Sequence, residues 1–287
     1  MFHLIFNPVS GMKKAIKKLR IVERIFKERN IAYETHESKK AGGAGEIARE
    51  LTEKGENDII VLGGDGTLNE VLNGISDPSV CRLGLIPSGT GNDFAACMGI
   101  PNDAEKATLK ILNGEAKPID YIDVSGMRSI NVTGVGIDVE VLLRGQKGKL
   151  KGKLKYLKNL LACVFKYKGI SVEVESDGVK ETHSALLAAA CNGKMFGGGI
   201  RICPEADPMD GKIDVVVVDC IGSAWKILHA FVVLMSGKIL KYSKTTHFRC
   251  ESVRFRTPTP CACQLDGEVR ENVVYEATIK KGLRFYL

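Results

Sequence analysis

The sequence predicts an α/β protein of two domains: a doubly wound domain over residues 1–122 and a β-rich, sandwich-like domain over 123–287. Three observations carry this. Short apolar runs alternate with amphipathic stretches through the first third, as β-α-β-α units do when they build a parallel sheet. Beyond about Tyr121 the texture changes to β-branched runs that alternate apolar with polar, as in antiparallel sheets. The length, 287 residues, also exceeds the usual size of a single core. The last few residues are allowed a return to the first domain.

In order, Leu4–Phe6 reads as a strand and the basic stretch Lys13–Glu28 as a helix. Ala32–Thr35 reads as a strand and Ala44–Glu53 as a helix; Ile59–Leu62 is a strand, Leu68–Gly74 a helix and Leu83–Ile86 a strand. In the second half, strands are expected at Ser171–Glu175, Ala185–Cys191, Ile213–Asp219, Val253–Arg256 and Val273–Ile279, with helices at Leu154–Phe165 and Ala224–Leu234. Ligands of parallel sheets bind beyond the carboxyl ends of the strands, and a cleft between the halves is the expected site.

Composition narrows the function classes. With 44% apolar and 26% charged residues the chain reads as globular, and its formal charge of +7 favours anionic partners. Aromatic content is 6%, with no basic–aromatic run to stack bases, so nucleic acid is not expected as a partner. The nine cysteines include no CxxC pair, which suits free thiols in a reducing cytoplasm. Cys261 and Cys263 would point the same way along a strand, and no matching ligand pair accompanies them as a metal site requires. No charged leader precedes the first apolar run, and no apolar stretch is long enough to span a bilayer, so any membrane contact is expected to be peripheral.

Three glycine-bearing turns follow the strands of the first half: Asn7-Pro8-Val9-Ser10-Gly11, Gly63-Gly64-Asp65-Gly66-Thr67, and Pro87-Ser88-Gly89-Thr90-Gly91-Asn92-Asp93. Glycine admits close approach of the backbone to phosphate, and helix N-termini supply free N–H groups. Ser10, Thr67 and Thr90 add hydroxyl donors. No GKS or GKT follows, so this is not a Walker A loop. Asp65, among glycines, reads either as a carboxylate holding Mg²⁺ beside phosphates or as a turn residue bonding its own backbone. On composition alone Asp266-Gly267-Glu268 reads as a hairpin turn.

Together, Asn7–Gly11, Gly63–Thr67 with Leu68-Asn69-Glu70, and Gly89-Thr90-Gly91-Asn92-Asp93-Phe94 resemble the diacylglycerol kinase catalytic-domain family, most closely its soluble bacterial lipid kinases. The order continues through Asn131, Gly134-Val135-Gly136, Asn192-Gly193, Gly197-Gly198-Gly199, Pro204, Asp210-Gly211 and Leu265-Asp266-Gly267-Glu268. Gly-Gly-Asp-Gly-Thr alone is shared with NAD kinases. The resemblance implies an NAD kinase/diacylglycerol kinase-like fold and an ATP site lined by Asn7, Pro8, Val9, Ser10, Gly11, Ser38, Gly63, Gly64, Asp65, Gly66, Thr67, Leu68 and Thr90. Ser38 stands where the family usually carries threonine. The resemblance also implies active-site roles for Asp65, Asp93 and Asp120, and a general base at Glu268. It further implies a structural Mg²⁺ at Asp210, with the carbonyls of Asp207 and Lys212.

The implied activity is transfer of the γ-phosphate of ATP, with Mg²⁺, to diacylglycerol or a related lipid, giving phosphatidic acid. The implied setting is cytoplasmic, at an anionic membrane surface, with a homodimer left open. Gly145–Lys158, basic and leucine-bearing, reads equally as a membrane-binding segment or a solvated loop. A sphingoid-base or NAD kinase, and a regulator without catalysis, are the competing readings.

Overall fold

The computed structural model describes residues 1–11, 14–146, 163, 167–220, 222–258, 261–271 and 273–287. The chain divides into two units, Met1–Asp120 with Lys281–Leu287, and Tyr121–Lys280.

The first unit runs β1 (Phe2–Phe6), α1 (Lys14–Glu28), β2 (Tyr33–Glu37), α2 (Gly43–Glu53), β3 (Asp58–Gly63), α3 (Asp65–Gly74), β4 (Arg82–Pro87), α4 (Asp93–Cys97) and α5 (Ala104–Asn113). Its sheet has the order β2-β1-β3-β4, every pair parallel, and the chain's tail adds a fifth parallel strand when Arg284 and Phe285 pair with Arg82 and Leu83. Strand order moves outward from β1 to β2 and then back across to β3 and β4. With right-handed crossovers this places α1 and α3 on opposite faces, the doubly wound arrangement. Ile59, Ile60, Val61 and Leu62 are wholly buried because β3 is covered on both sides. On α1, Ala15, Leu19, Val22, Ile25 and Phe26 recur at helical spacing and form the buried stripe.

Of the boundaries that differ from expectation, two bear on the site and the sheet edge. The second strand extends to Glu37, not Thr35, because its pairing with β1 continues to Phe6↔Glu37 although the residues are polar, as befits a sheet edge. The third helix starts at Asp65 rather than Leu68. Gly64 is extended (φ −99°, ψ −170°) and passes the chain straight into a helix whose first turn is Asp65-Gly66-Thr67.

The second unit contains β6 (Met127–Ser129), β7 (Val132–Gly136), α6 (Ile137–Gln146), β8 (Ile170–Ser176), β9 (Val179–Cys191), β10 (Ile213–Asp219), α7 (Ala224–Met235), β11 (Thr245–Cys250), β12 (Ser252–Arg256), β13 (Cys263–Leu265) and β14 (Glu268–Arg270). Two long strands cross the division, β5 (Ala116–Val124) and β15 (Tyr275–Tyr286). The 13-residue β9 is the organiser. It pairs with β8 over its first half, with β7 over its second, and with β10 along its other edge. Its register alternates Ala188 and Ala190 into one core with Val215, Val217 and Phe255, and Leu187, Ala189 and Cys191 into another with Val216, Ile137, Ile227 and Ala230. One face thus meets strands and the other meets α6 and α7, a β-rich layered unit.

Sequence alone started β9 at Ala185. The polar run Lys180–His183 hides the strand, which begins after a tight turn at Asp177 (φ 50°) and Gly178 (φ 79°). The expected helix Leu154–Phe165 and the Gly145–Lys158 segment lie almost wholly outside the described residues. On α7, Trp225, Val232 and Met235 are exposed. No helix among the described residues is long and apolar enough to cross a membrane. All nine cysteines are free thiols.

Candidate active site

In the first unit the three glycine-bearing turns meet at the carboxyl ends of adjacent strands β1, β3 and β4. The turn after β1 is tied internally, with the Asn7 carbonyl accepting from the Ser10 amide and the Asn7 side chain from the Val9 amide. Ser88 Oγ lies 3.3 Å from Ser10 Oγ, and the Ser88 amide donates to the Gly63 carbonyl at 2.8 Å. Gly64 and Gly89 stack so tightly that a Cβ built on Gly89 would fall 2.5 Å from the Gly64 Cα. No side chain fits there. Asn92, itself left-handed (φ 57°), braces the third turn by accepting from the Gly89 amide and donating to its carbonyl.

Asp65 sits half-buried at the first position of α3, and its Oδ1 accepts the Phe94 amide at 3.1 Å. It therefore joins the second turn to the helix that follows the third. Asp93 and Asp120 are buried, the first opening α4 and the second on β5. The amides of Asp65, Gly66 and Thr67 head α3, where a helix offers no acceptors of its own, and Gly66 and Thr90 are exposed. Ser38 is buried just beyond β2, its hydroxyl on the Lys40 carbonyl and close against Gly43. Glu70 of the Leu-Asn-Glu run accepts the Ala44 amide, fastening the start of α2 to α3. Lys18 turns inward to the Pro87 and Asn102 carbonyls, and burial lowers its pKa. It braces the end of β4.

In the second unit, Leu265 and Glu268 pair across a two-residue turn formed by Asp266 (φ 49°) and Gly267 (φ 90°). The hairpin read from composition is there. The Asp266 carboxylate also accepts four hydrogen bonds, from the Ser129 hydroxyl (2.7 Å) and the Ile130, Asn131 and Val132 amides (2.8, 2.9 and 3.0 Å). Glu268 opens β14, about one-third exposed, with Arg270 Nη2 at 2.6 Å. Asp207, Asp210 and Lys212 form a compact loop: the Asp210 carboxylate accepts the Lys212 amide at 2.9 Å, and the Asp207 carbonyl accepts the Asp210 amide. Arg249 approaches the other Asp210 oxygen at 3.4 Å, bringing a cation to the carboxylate expected to hold a metal.

Residues 1–124 match the family model for the diacylglycerol kinase catalytic domain, and residues 131–282 match that for the YegS C-terminal NAD kinase beta sandwich-like domain. The chain is 31% identical over 270 residues to a diacylglycerol kinase of Bacillus subtilis (strain 168), covering 92% of this chain and 88% of that protein. This chain belongs to the diacylglycerol kinase family. It is also 28% identical over 271 residues to a diacylglycerol kinase of Staphylococcus aureus (strain JH9), covering 92% and 85% of the two chains. A solved structure from Bacillus anthracis str. Sterne shares the fold, with a TM-score of 0.83 over 99% of this chain and 94% of the other at 24% identity.

As a member of a kinase family, the chain gives the stacked glycine turns a phosphoryl-transfer context. Two features escaped the sequence reading. One is Asp266, visible only as a turn residue until its four donors are in place. The other is Asp138, a charge inside the apolar run that opens α6. Asp138 is 2% exposed, and burial pushes its carboxyl up to about 6, against the opposing pull of the Val139 and Asp138 amides and the Gln264 side chain.

Because the folded-state value lies above the ordinary 3.8, the folded chain holds a proton between the two that the unfolded chain has released. Stability is therefore lost as pH rises from about 4 to about 6, and the cost levels at roughly 3 kcal/mol above that range. Asp138→Asn is expected to resist urea better than the parent near pH 8, by about 1–3 kcal/mol, and to match it near pH 4. An equal gain at both pH values would show that ionisation of Asp138 is not the cause.

Proposed function

We propose that this kinase transfers the γ-phosphate of ATP to the hydroxyl of diacylglycerol or a closely related lipid, yielding phosphatidic acid and ADP. The observation that carries the reading is the mutual packing of the three glycine turns, Gly64 against Gly89 and Ser10 beside Ser88, at the head of α3. Such a cradle presents amides of Asp65, Gly66 and Thr67 and the positive end of the helix dipole to phosphate oxygens. Asn7–Gly11, Ser38 and Thr90 complete the proposed ATP site, and Leu68, expected there too, is wholly buried on α3 and reaches it only through its backbone.

Mg²⁺ fits Asp65, which uses one oxygen on the Phe94 amide and offers its second to a hydrated cation. When bound there, Mg²⁺ would neutralise charge gathering on the phosphates. Asp93 and Asp120 belong to the supporting acidic network. Glu268 is the proposed general base. As the lipid oxygen bonds to the γ-phosphorus, its proton passes to the Glu268 carboxylate; the bond to the β-phosphate bridging oxygen breaks, and ADP leaves. The Asp207–Lys212 loop is proposed as a second, structural Mg²⁺ site with Asp210 as its side-chain ligand, reached only if Arg249 withdraws. Work on a lipid places the chain, in this reading, in the cytoplasm and peripherally on an anionic membrane surface, where exposed Trp225, Val232 and Met235 of α7 suit shallow insertion.

The test is transfer of radiolabelled γ-phosphate from ATP, with Mg²⁺, to diacylglycerol in anionic mixed micelles, with a sphingoid base and NAD in parallel. Label in phosphatidic acid is the expected result. Label in NADP or in a sphingoid-base phosphate would overturn the acceptor, and silence on all three would overturn the activity. Gly89→Ala probes the cradle. Its methyl would enter the Gly64 backbone, and the displaced turn is expected to lower kcat/KM for ATP about 10²-fold. Steady-state kinetics beside a circular-dichroism melt separates that loss from misfolding.

A further inference from the structure

A second chemical cluster lies away from the glycine turns, on the β1–β2 pair. In the parallel register His3 faces Glu34 and Ile5 faces His36, so the period-two alternation puts His3, Glu34 and His36 on one face of the sheet edge. His3 Nδ1 stands 3.1 Å from His36 Nε2, and Glu34 Oε2 lies 3.9 Å from the first and 4.0 Å from the second. Three donor atoms of the types that bind d-block metals thus converge on one point. Adjacent ligand atoms of a tetrahedral zinc site are about 3.3 Å apart, so only the exposed Glu34 side chain needs to swing in.

The surroundings favour a ligand set over an incidental pair. His3 is 2% exposed, and its other ring nitrogen, Nε2, is 3.1 Å from Glu56 Oε2. With the Nε2 proton donated to that carboxylate, His3 Nδ1 is left as an acceptor for His36 Nε2–H, and a metal ion would take the place of that shared proton, as carboxylates behind metal-bound histidines favour. The two rings pack at 5.3 Å between centroids with 30° between their planes. The other described cluster of this kind, Cys203, Asp214 and His247, has Arg249 Nε at 3.2 Å from the Asp214 carboxylate, a cation where a metal would need to sit.

We propose that His3 Nδ1, His36 Nε2 and the Glu34 carboxylate bind a divalent d-block cation of the zinc type, with Glu56 orienting His3 and water in the fourth position. The ion clamps edge strand β2 to β1. Nitrogen-rich and small, the site discriminates against Mg²⁺, which demands oxygen donors in octahedral array.

The experiment uses the full chain, freed of any polyhistidine tag and of metal by chelation, titrated calorimetrically with Zn²⁺ under excess Mg²⁺. One equivalent is expected to bind and to raise the thermal midpoint. His36→Ala and Glu34→Gln, both at accessible positions, are expected to abolish or strongly weaken this binding. Glu56→Gln, which touches no metal, should weaken it about tenfold. Cys203→Ser should leave it unchanged. Co²⁺ supplies a readout that does not depend on any variant folding: a tetrahedral d–d spectrum without a thiolate charge-transfer band. A thiolate band, binding that survives both His36→Ala and Glu34→Gln, or no equimolar binding overturns the proposal.

Discussion

A Glu268→Gln variant is expected to fold like the parent and to turn over roughly 10²- to 10⁴-fold more slowly. The two halves of that expectation have separate grounds. Glu268 is only partly buried, and its ion pair with Arg270 lies at the surface, where such pairs contribute about 0–1 kcal/mol. The hairpin that carries it is held by its neighbour Asp266 and by the Gly267 amide on Gln264 Oε1 at 2.9 Å. Glutamine keeps the shape and removes the ability to take up a proton. Matching thermal melts and a collapse of kcat, with KM for ATP little changed, are the results to look for. A kcat within threefold of the parent would remove Glu268 from the chemistry.

Asp266→Ala is expected to cost stability instead, on the order of 3–5 kcal/mol, and to take activity down with it. Its carboxylate accepts one hydroxyl and three successive amides, at Ser129 to Val132. Truncation leaves those amides without their acceptor, each costing about 1–3 kcal/mol where water cannot replace it. Asp266→Asn retains oxygen acceptance but loses the charge, so a smaller loss is expected. The urea midpoint measures both. A midpoint unmoved in the alanine variant would show that water takes over the four donors and that the hub is dispensable.

How legible was this molecule before its structure? Short runs of three or four residues, three of the four followed by a glycine-bearing turn, alternating with amphipathic stretches, sufficed for the doubly wound unit. That is because a strand buried on both faces must be apolar throughout, as β3 is. The β-branched and apolar runs sufficed for the β-rich unit where they stood out, as at Ala185–Cys191 and Ile213–Asp219. They failed at Lys180–His183, where β9 projects as a polar hairpin, and at Thr245–Cys250, where β11 is recruited by pairing with β10 rather than by its own pattern. The start of α3 was misplaced because Gly-Asp-Gly-Thr has the composition of a loop. Only the extended Gly64 next to Gly89 makes it the first turn of a helix.

The candidate sites divide along the same line. What the sequence by itself determined is what depends on neighbours along the chain: fold class, family, the three glycine turns, and the Asp266-Gly267 hairpin. Those features need only residues with the right backbone freedom or periodicity. What the tertiary structure decided is which distant groups share a point. It set Asp65 on the Phe94 amide, Asp266 under residues 129–132, Asp138 in a buried place, and His3 against His36 from 33 positions away. Hydrogen bonding, desolvation and metal ligation act over about 3 Å of space, and separation along the chain carries no record of that distance.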